Sequence, residues 1–243
     1  MWTDVVDLRD FYVSSLGRVA RRMIGRRIRA LWPDVRGLSI VGLGYAAPFL
    51  GVFRAEAQRV VALMPAAQGV LHWPAEAPGL TALSEETALP LADRAVDLVL
   101  LVHALECAEH TGTMMREIWR VLADGGRMIV VVPNRRGLWA RFERTPFGHG
   151  RPYTPTQLSH GLRDAMFTPY RSATALYVPP IPSRMLLSSA GAWEKIGQRW
   201  FTSFAGVVVV EASKQIFAGH GADEVRKRRV YVPVAAASSR ALR

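Results

Sequence analysis

Four short runs limit the fold of this chain more than anything else in it. "LSIVGL" (38–43), "RVVALM" (59–64), "AVDLVLLV" (95–102) and "RMIVVVP" (127–133) are apolar almost throughout. A strand with one wet face alternates polar and apolar residues. Runs like these therefore read as strands covered on both faces. "LTALS" (80–84) is a weaker strand of the same kind. Helical patterns stand between them, at 46–57 and at 104–122. In the second, Met114, Met115, Ile118, Val121 and Leu122 return every three or four residues, and Asp124-Gly125-Gly126 closes it. Strands that alternate with helices predict a parallel sheet with right-handed crossovers.

The flanks extend this plan. Residues 7–31 read as one amphipathic helix. Its apolar stripe runs from Leu8 through Phe11, Tyr12, Leu16, Met23 and Ile24 to Leu31, with arginines over the rest. Trp32-Pro33 ends it. Further along, 155–166 and 184–199 read as helices, and 172–180 and 204–214 as strands. Beyond 217 the composition shifts to a basic cluster with little apolar periodicity. The expected organisation is a helical segment at 1–36 packed on the core, an α/β domain at 37–216 and a basic, flexible tail at 217–243.

The formal charge is +11, which suits nucleic acid or anionic lipid as a partner. The bases are almost all arginine, with lysine only at positions 195, 214 and 227. GC-rich codon usage also produces that skew without any polyanion. Cys107 is the single cysteine, so neither an intramolecular disulfide nor a cysteine metal cluster can form. No apolar run reaches the roughly 18 residues of a membrane span. The start, "MWTDVVDLRD", is acidic and lacks the order of a secretory signal. These features predict a cytoplasmic protein without a membrane span. No zinc spacing, phosphate-binding Walker loop or Gly-x-Ser-x-Gly elbow is present, and no metal is expected.

In an open parallel sheet, ligands sit beyond the carboxyl ends of the strands, where strand order reverses. The stretch Gly42-Leu43-Gly44-Tyr45-Ala46 would lie there, its glycines admitting a tight turn. It is followed by "EETALPLADRAVDLVLLVHALECAEH" (85–110), "REIWRVLADGGRMIVVVPN" (116–134) and "HGRPYTPTQLSHGLRDAMF" (149–167). With its Leu89-Pro90-Leu91, His103-Ala104-Leu105-Glu106 and Arg116-to-Gly126 pieces in register, the chain resembles the class I S-adenosylmethionine-dependent methyltransferases, in their type 11-like group, over roughly residues 38–170.

That resemblance implies a Rossmann-like, seven-stranded, mostly parallel sheet flanked by helices, and S-adenosylmethionine as cofactor. It places Gly42 and Gly44 at the methionine part of the cofactor, with Tyr45 also at the cofactor, and Met64 at the ribose. Glu85 aligns with the acid that takes the adenine amino group. Val102 and His103 would line the edge where cofactor and acceptor meet, with Tyr12 closing over the top. The sequence departs from the family pattern at three places. Ile40 and Met64 stand where acids are usual, and Ala46 stands where a third glycine is favoured. A lost charged acceptor removes hydrogen bonds worth roughly 1.5–3 kcal/mol each.

The sulfonium methyl is already activated, so alignment is the main demand on the protein. A general base is required only where the acceptor loses a proton, and His103 and His149 are the candidates. Glu106 reads as a helix-stabilising acid and Cys107 as a packed, inert thiol. "NRRGLWARFER" (134–144) reads either as an amphipathic lid or as a solvated helix with a buried stripe. The function expected is methyl transfer to an unidentified acceptor, small-molecule or lipid-like, with RNA or protein left open. The alternatives are an inactive methyltransferase-like fold that binds or regulates, and a pocket for another nucleotide-like ligand.

Overall fold

The computed structural model describes residues 3–215; the basic tail of 217–243 lies outside them. The fold is α/β. Seven strands form one sheet in the order β3-β2-β1-β4-β5-β7-β6. They are β1 (Ser39–Gly44), β2 (Arg59–Pro65), β3 (Thr81–Ser84), β4 (Val96–Val102), β5 (Leu122–Pro133), β6 (Phe167–Ala175) and β7 (Val207–Lys214). All neighbouring pairs are parallel except those made by β7, which runs antiparallel to β5 and β6. The apolar runs occupy the centre, as both-face burial requires: every residue of β4 except Asp97 is fully buried.

Helices cover both faces. One core cluster joins α1 (Val5–Val13), α2 (Ser15–Leu31) and α3 (Ala47–Leu50) to one face of the sheet. A second joins α4 (Thr111–Val121) and α5 (Pro155–Asp164) to the other. Two further helices, α6 (Arg184–Ser188) and α7 (Ala190–Trp200), precede β7.

Several boundaries differ from those the sequence suggests. The helix expected over 7–31 breaks at Ser14, whose hydroxyl caps α2 by accepting the Gly17 N–H. Serine favours that role over a helix interior, and a Cβ at position 17 would run into the Phe11 carbonyl. The helix expected over 46–57 shrinks to α3 and a short 3-10 turn at Gly51–Phe53. Residues 104–110 are not helical; only one turn closes on the Ala104 carbonyl, and α4 starts at Thr111. The strand expected over 172–180 is β6, which begins at Phe167 and stops at Ala175, before Leu176 takes a positive φ of 66°. Ser189 divides the helix expected over 184–199 into α6 and α7. The 134–144 stretch is neither a lid helix nor a solvated one. It holds a single 3-10 turn, Trp139–Arg141, whose Trp139 is buried and donates its indole N–H to the Val178 carbonyl at 2.8 Å.

One polar contact fixes α2 on the sheet. The buried Glu211 of β7 accepts the Trp32 indole N–H at 3.1 Å and the Arg127 guanidinium at 3.3 Å. Replacing Glu211 by Ala leaves the Trp32 N–H without a partner, at a cost of about 2 kcal/mol. Urea unfolding should show that loss, with a smaller one for Glu211→Gln; equal stability of all three proteins would show that the contact carries no weight.

Candidate functional site

The strand order reverses between β1 and β4, which places the crevice of a doubly wound sheet at their carboxyl ends. The glycine loop forms its floor. Gly44 has φ 81°, and a side chain there would strike the Val102 carbonyl. The next N–H, of Tyr45, donates to that same carbonyl at 2.8 Å. Gly42 serves packing, since a Cβ on it would press into Ala46 and Leu50. The loop is thus closed down onto β4 by its own backbone.

Helix α1 lies across this edge from end to end. At its start the Val5 N–H donates to the Gln68 carbonyl, in the turn after β2. At its end Tyr12 stacks on Tyr45, after β1, with ring centroids 5.6 Å apart. The Tyr12 hydroxyl also lies 2.8 Å from Nε2 of His103, immediately after β4. Phe49 and Phe147 complete the aromatic packing, Phe49 edge-on to Tyr12 and Phe147 against His103 at 4.9 Å. His103 itself has φ 50°, a strained conformation for a non-glycine residue. Its Nδ1 faces Glu106 Oε1 at 3.3 Å. Nε2 is therefore hydrogen-bonded, while Nδ1 only faces a carboxylate whose oxygens have no hydrogen-bond partner, and the pair is buried.

The residues expected at the cofactor divide into two groups. Gly44, Tyr45, Val102 and His103 meet beneath Tyr12, and Met64 lies in the same apolar cluster, its sulfur accepting the Leu71 N–H at 3.5 Å. Glu85 is exposed and stands apart, in a small recess of about 150 Å³ beside Pro65, Glu86 and His110. Ile40 is a core residue paired with Leu98 in the sheet. His149 is also exposed. It lines a cleft of about 920 Å³ with Asp7, Asp10, Phe11, Phe142 and Ile181, on α1 and the loops facing it. The loop after His149 is tied back to the crevice, because the Arg151 N–H donates to the Glu106 carbonyl at 2.8 Å.

Three acceptor-bearing residues at this edge were not legible as such. Gln68 is 2% exposed, and neither its oxygen nor its nitrogen has a partner. One oxygen of Glu86 and both of Glu106 are likewise buried without a conventional hydrogen bond. Buried polar atoms are normally paired; these three residues follow β2, β3 and β4 in turn, at the carboxyl edge of the sheet. The apolar side of this edge is filled by the stacked rings of Tyr12 and Tyr45. Only the His103–Glu106 spacing of three, which brings two side chains to one side of a turn, hinted at the pair in the sequence. Cys107 is buried as expected, and burial pushes its thiol up to about 12.

Comparison with known proteins agrees with this geometry. Residues 28–130 match the family model described as a methyltransferase domain. No curated protein matches the sequence. Among solved structures, an S-adenosylmethionine-dependent methyltransferase from Thermotoga maritima is similar, at 16% identity and a TM-score of 0.61, over 87% of this chain and 96% of that one. A chain from the complex of the Haloferax volcanii Trm112 methyltransferase activator with its methyltransferase gives 17%, 0.63, 88% and 100%. The Burkholderia thailandensis 1,6-didemethyltoxoflavin-N1-methyltransferase, solved with its acceptor and S-adenosylhomocysteine, gives 17%, 0.52, 83% and 79%. At these identities the likeness is one of fold.

The buried phenols predict a pH dependence. Burial pushes Tyr45 up to about 12 and also raises Tyr12, which the Glu106 charge raises further. A phenol harder to ionise folded than unfolded contributes stability that is complete below the ordinary value of 10 and is lost as pH climbs toward 12. The unfolding free energy should therefore fall over that window, and fall less steeply in a Tyr12→Phe, Tyr45→Phe double variant. Equal slopes for both proteins would place the phenols in solvent.

Proposed function

We propose that this chain, whose residues 28–130 carry a methyltransferase domain, transfers a methyl group from S-adenosylmethionine to a small or lipid-like acceptor, and that α1 covers the cofactor site when it is empty. The observation that carries the reading is the buried side chain of Gln68, which has no hydrogen-bond partner for its oxygen or its nitrogen and lies in the turn whose carbonyl accepts the first N–H of α1. Residues 1–36 then act as a cover packed on a methyltransferase-like domain of 37–216.

In this assignment Gln68, with Glu85 and Glu86, holds the hydroxyl and amino groups of the nucleoside. Gly42, Gly44, Tyr45, Met64 and Val102 form the surface against which it lies. Gln68 thereby supplies the acceptor that Met64 lacks. When bound, S-adenosylmethionine supplies an activated methyl group; the protein's part is to orient the acceptor and exclude water. Release of Tyr12 frees Nε2 of His103, while the Glu106 carboxylate faces the opposite nitrogen. His103 is thus placed to take a proton from an acceptor that must lose one. His149, across the cleft, is the second candidate. The cleft's Phe11, Phe142 and Ile181 suit an acceptor with an apolar body.

A second reading, a methyltransferase-like fold that binds without catalysing, draws support from Ile40 and Met64. Both are fully buried apolar residues where the family pattern has acids.

Calorimetric titration with S-adenosylhomocysteine separates the two. The native chain should bind, and Tyr12→Ala, which unlatches α1, should bind about tenfold more tightly because more of the protein is competent. Gln68→Leu should bind more weakly yet unfold about 1–2 kcal/mol less readily, since it removes an unsatisfied buried amide. Absence of heat at millimolar ligand, in folded native chain and in Tyr12→Ala alike, would leave the non-catalytic reading.

A further inference from the structure

The segment before β7 turns the usual helix pattern outward. Helix α7 buries Ala190, Glu194 and Gly197. Gly197 is obligatory there, because a Cβ would enter the Tyr177 ring. The helix directs Trp193, Ile196 and Trp200 to solvent at spacings of three and four, with Ile196 53% and Trp200 70% exposed. Phe201 and Phe204 continue the apolar surface, 54% and 60% exposed, around a 3-10 turn at Thr202–Phe204. A soluble helix ordinarily does the reverse, and a cluster of exposed aromatics of this size marks an interaction surface.

Charge identifies the occupant. Between residues 165 and 215 the only acids are Glu194 and Glu211, and both are buried. Every exposed charge in that stretch is positive: Arg171, Arg184, Lys195 and Arg199. On α7, Lys195 and Arg199 form a row beside the apolar one, and the Arg199 guanidinium lies over the Trp200 ring at 5.7 Å. Tryptophan and phenylalanine on one edge with cations beside them is the arrangement of a helix that lies in a bilayer interface. Indole rings favour the headgroup level, and each basic residue near an anionic leaflet contributes about 1 kcal/mol. A second copy of this chain would bring like charges together instead. We propose that α7 and the turn after it form a docking surface for an anionic lipid bilayer, on which the protein rests without crossing it. Among the described residues no helix is long and apolar enough to span a membrane. The docking does not depend on methyl transfer.

The test is flotation of the full chain with phosphatidylcholine vesicles, with and without phosphatidylglycerol. Binding is expected to the anionic vesicles, weakening as salt rises. The exposed pair Trp200→Ser, Phe201→Ser should bind at least about tenfold more weakly with unchanged circular dichroism. Lys195→Gln and Arg199→Gln should each weaken binding about fivefold on anionic vesicles. Three results would overturn the proposal. One is no binding to anionic vesicles; another is unchanged binding in the Trp200, Phe201 variant, which would assign it to other basic parts of the chain. The third is a dimer in sedimentation that the same variant dissociates, which would show that a second copy covers the face.

Discussion

A single hydrogen bond organises the candidate site. The Tyr12 hydroxyl meets Nε2 of His103 at 2.8 Å across 91 positions of sequence. It joins the first helix to the end of the central strand β4, at the point where the sheet's strand order reverses. Around it the aromatic rings of Tyr45, Phe49 and Phe147 close off solvent. The upward shift of both phenols follows from this enclosure, and the positive φ of His103 and the buried Glu106 stand beside it. Under the function proposed above, Tyr12 and a nucleoside compete for one place.

The polar groups near that place carry a cost. Gln68 and Glu106 lie under or beside α1 with polar atoms unsatisfied, a condition a stable core avoids. The aromatic packing of Tyr12, Tyr45, Phe49 and Phe147 offsets that cost. A ligand able to pair with those groups would shift the balance the other way. In the proposed function, binding and uncovering are two sides of one equilibrium, set by how much better the open form holds the ligand.

Much of this was legible in the sequence, and the reasons differ by element. The uninterrupted apolar runs identified β1, β2, β4 and β5, because burial on both faces leaves no room for polar residues. The weaker run at 80–84 held as β3. The helix ends were less legible. Ser14 reads as a helix interior until Gly17 is seen against Phe11, and the 104–110 turn shares the apolar composition of the helix after it. Trp139 looked like part of an exposed or amphipathic helix. Its indole instead finds the Val178 carbonyl, a partner 39 residues away that no local pattern reveals. At the site, the glycine loop and His103 were visible from their motifs. The part played by Gln68 was not, since a lone glutamine carries no signal until its burial is known. The outward face of α7 reads in sequence like any amphipathic helix; only the structure shows which side is turned to solvent.

Amide hydrogen exchange over residues 5–14, measured with and without saturating S-adenosylhomocysteine, tests the central claim most directly. If Tyr12 and the nucleoside compete for one place, ligand should speed exchange along α1 while slowing it around Gly44 and Gln68. Bound ligand with α1 exchange unchanged or slowed would contradict the account, and would show that the helix and the cofactor occupy the site together.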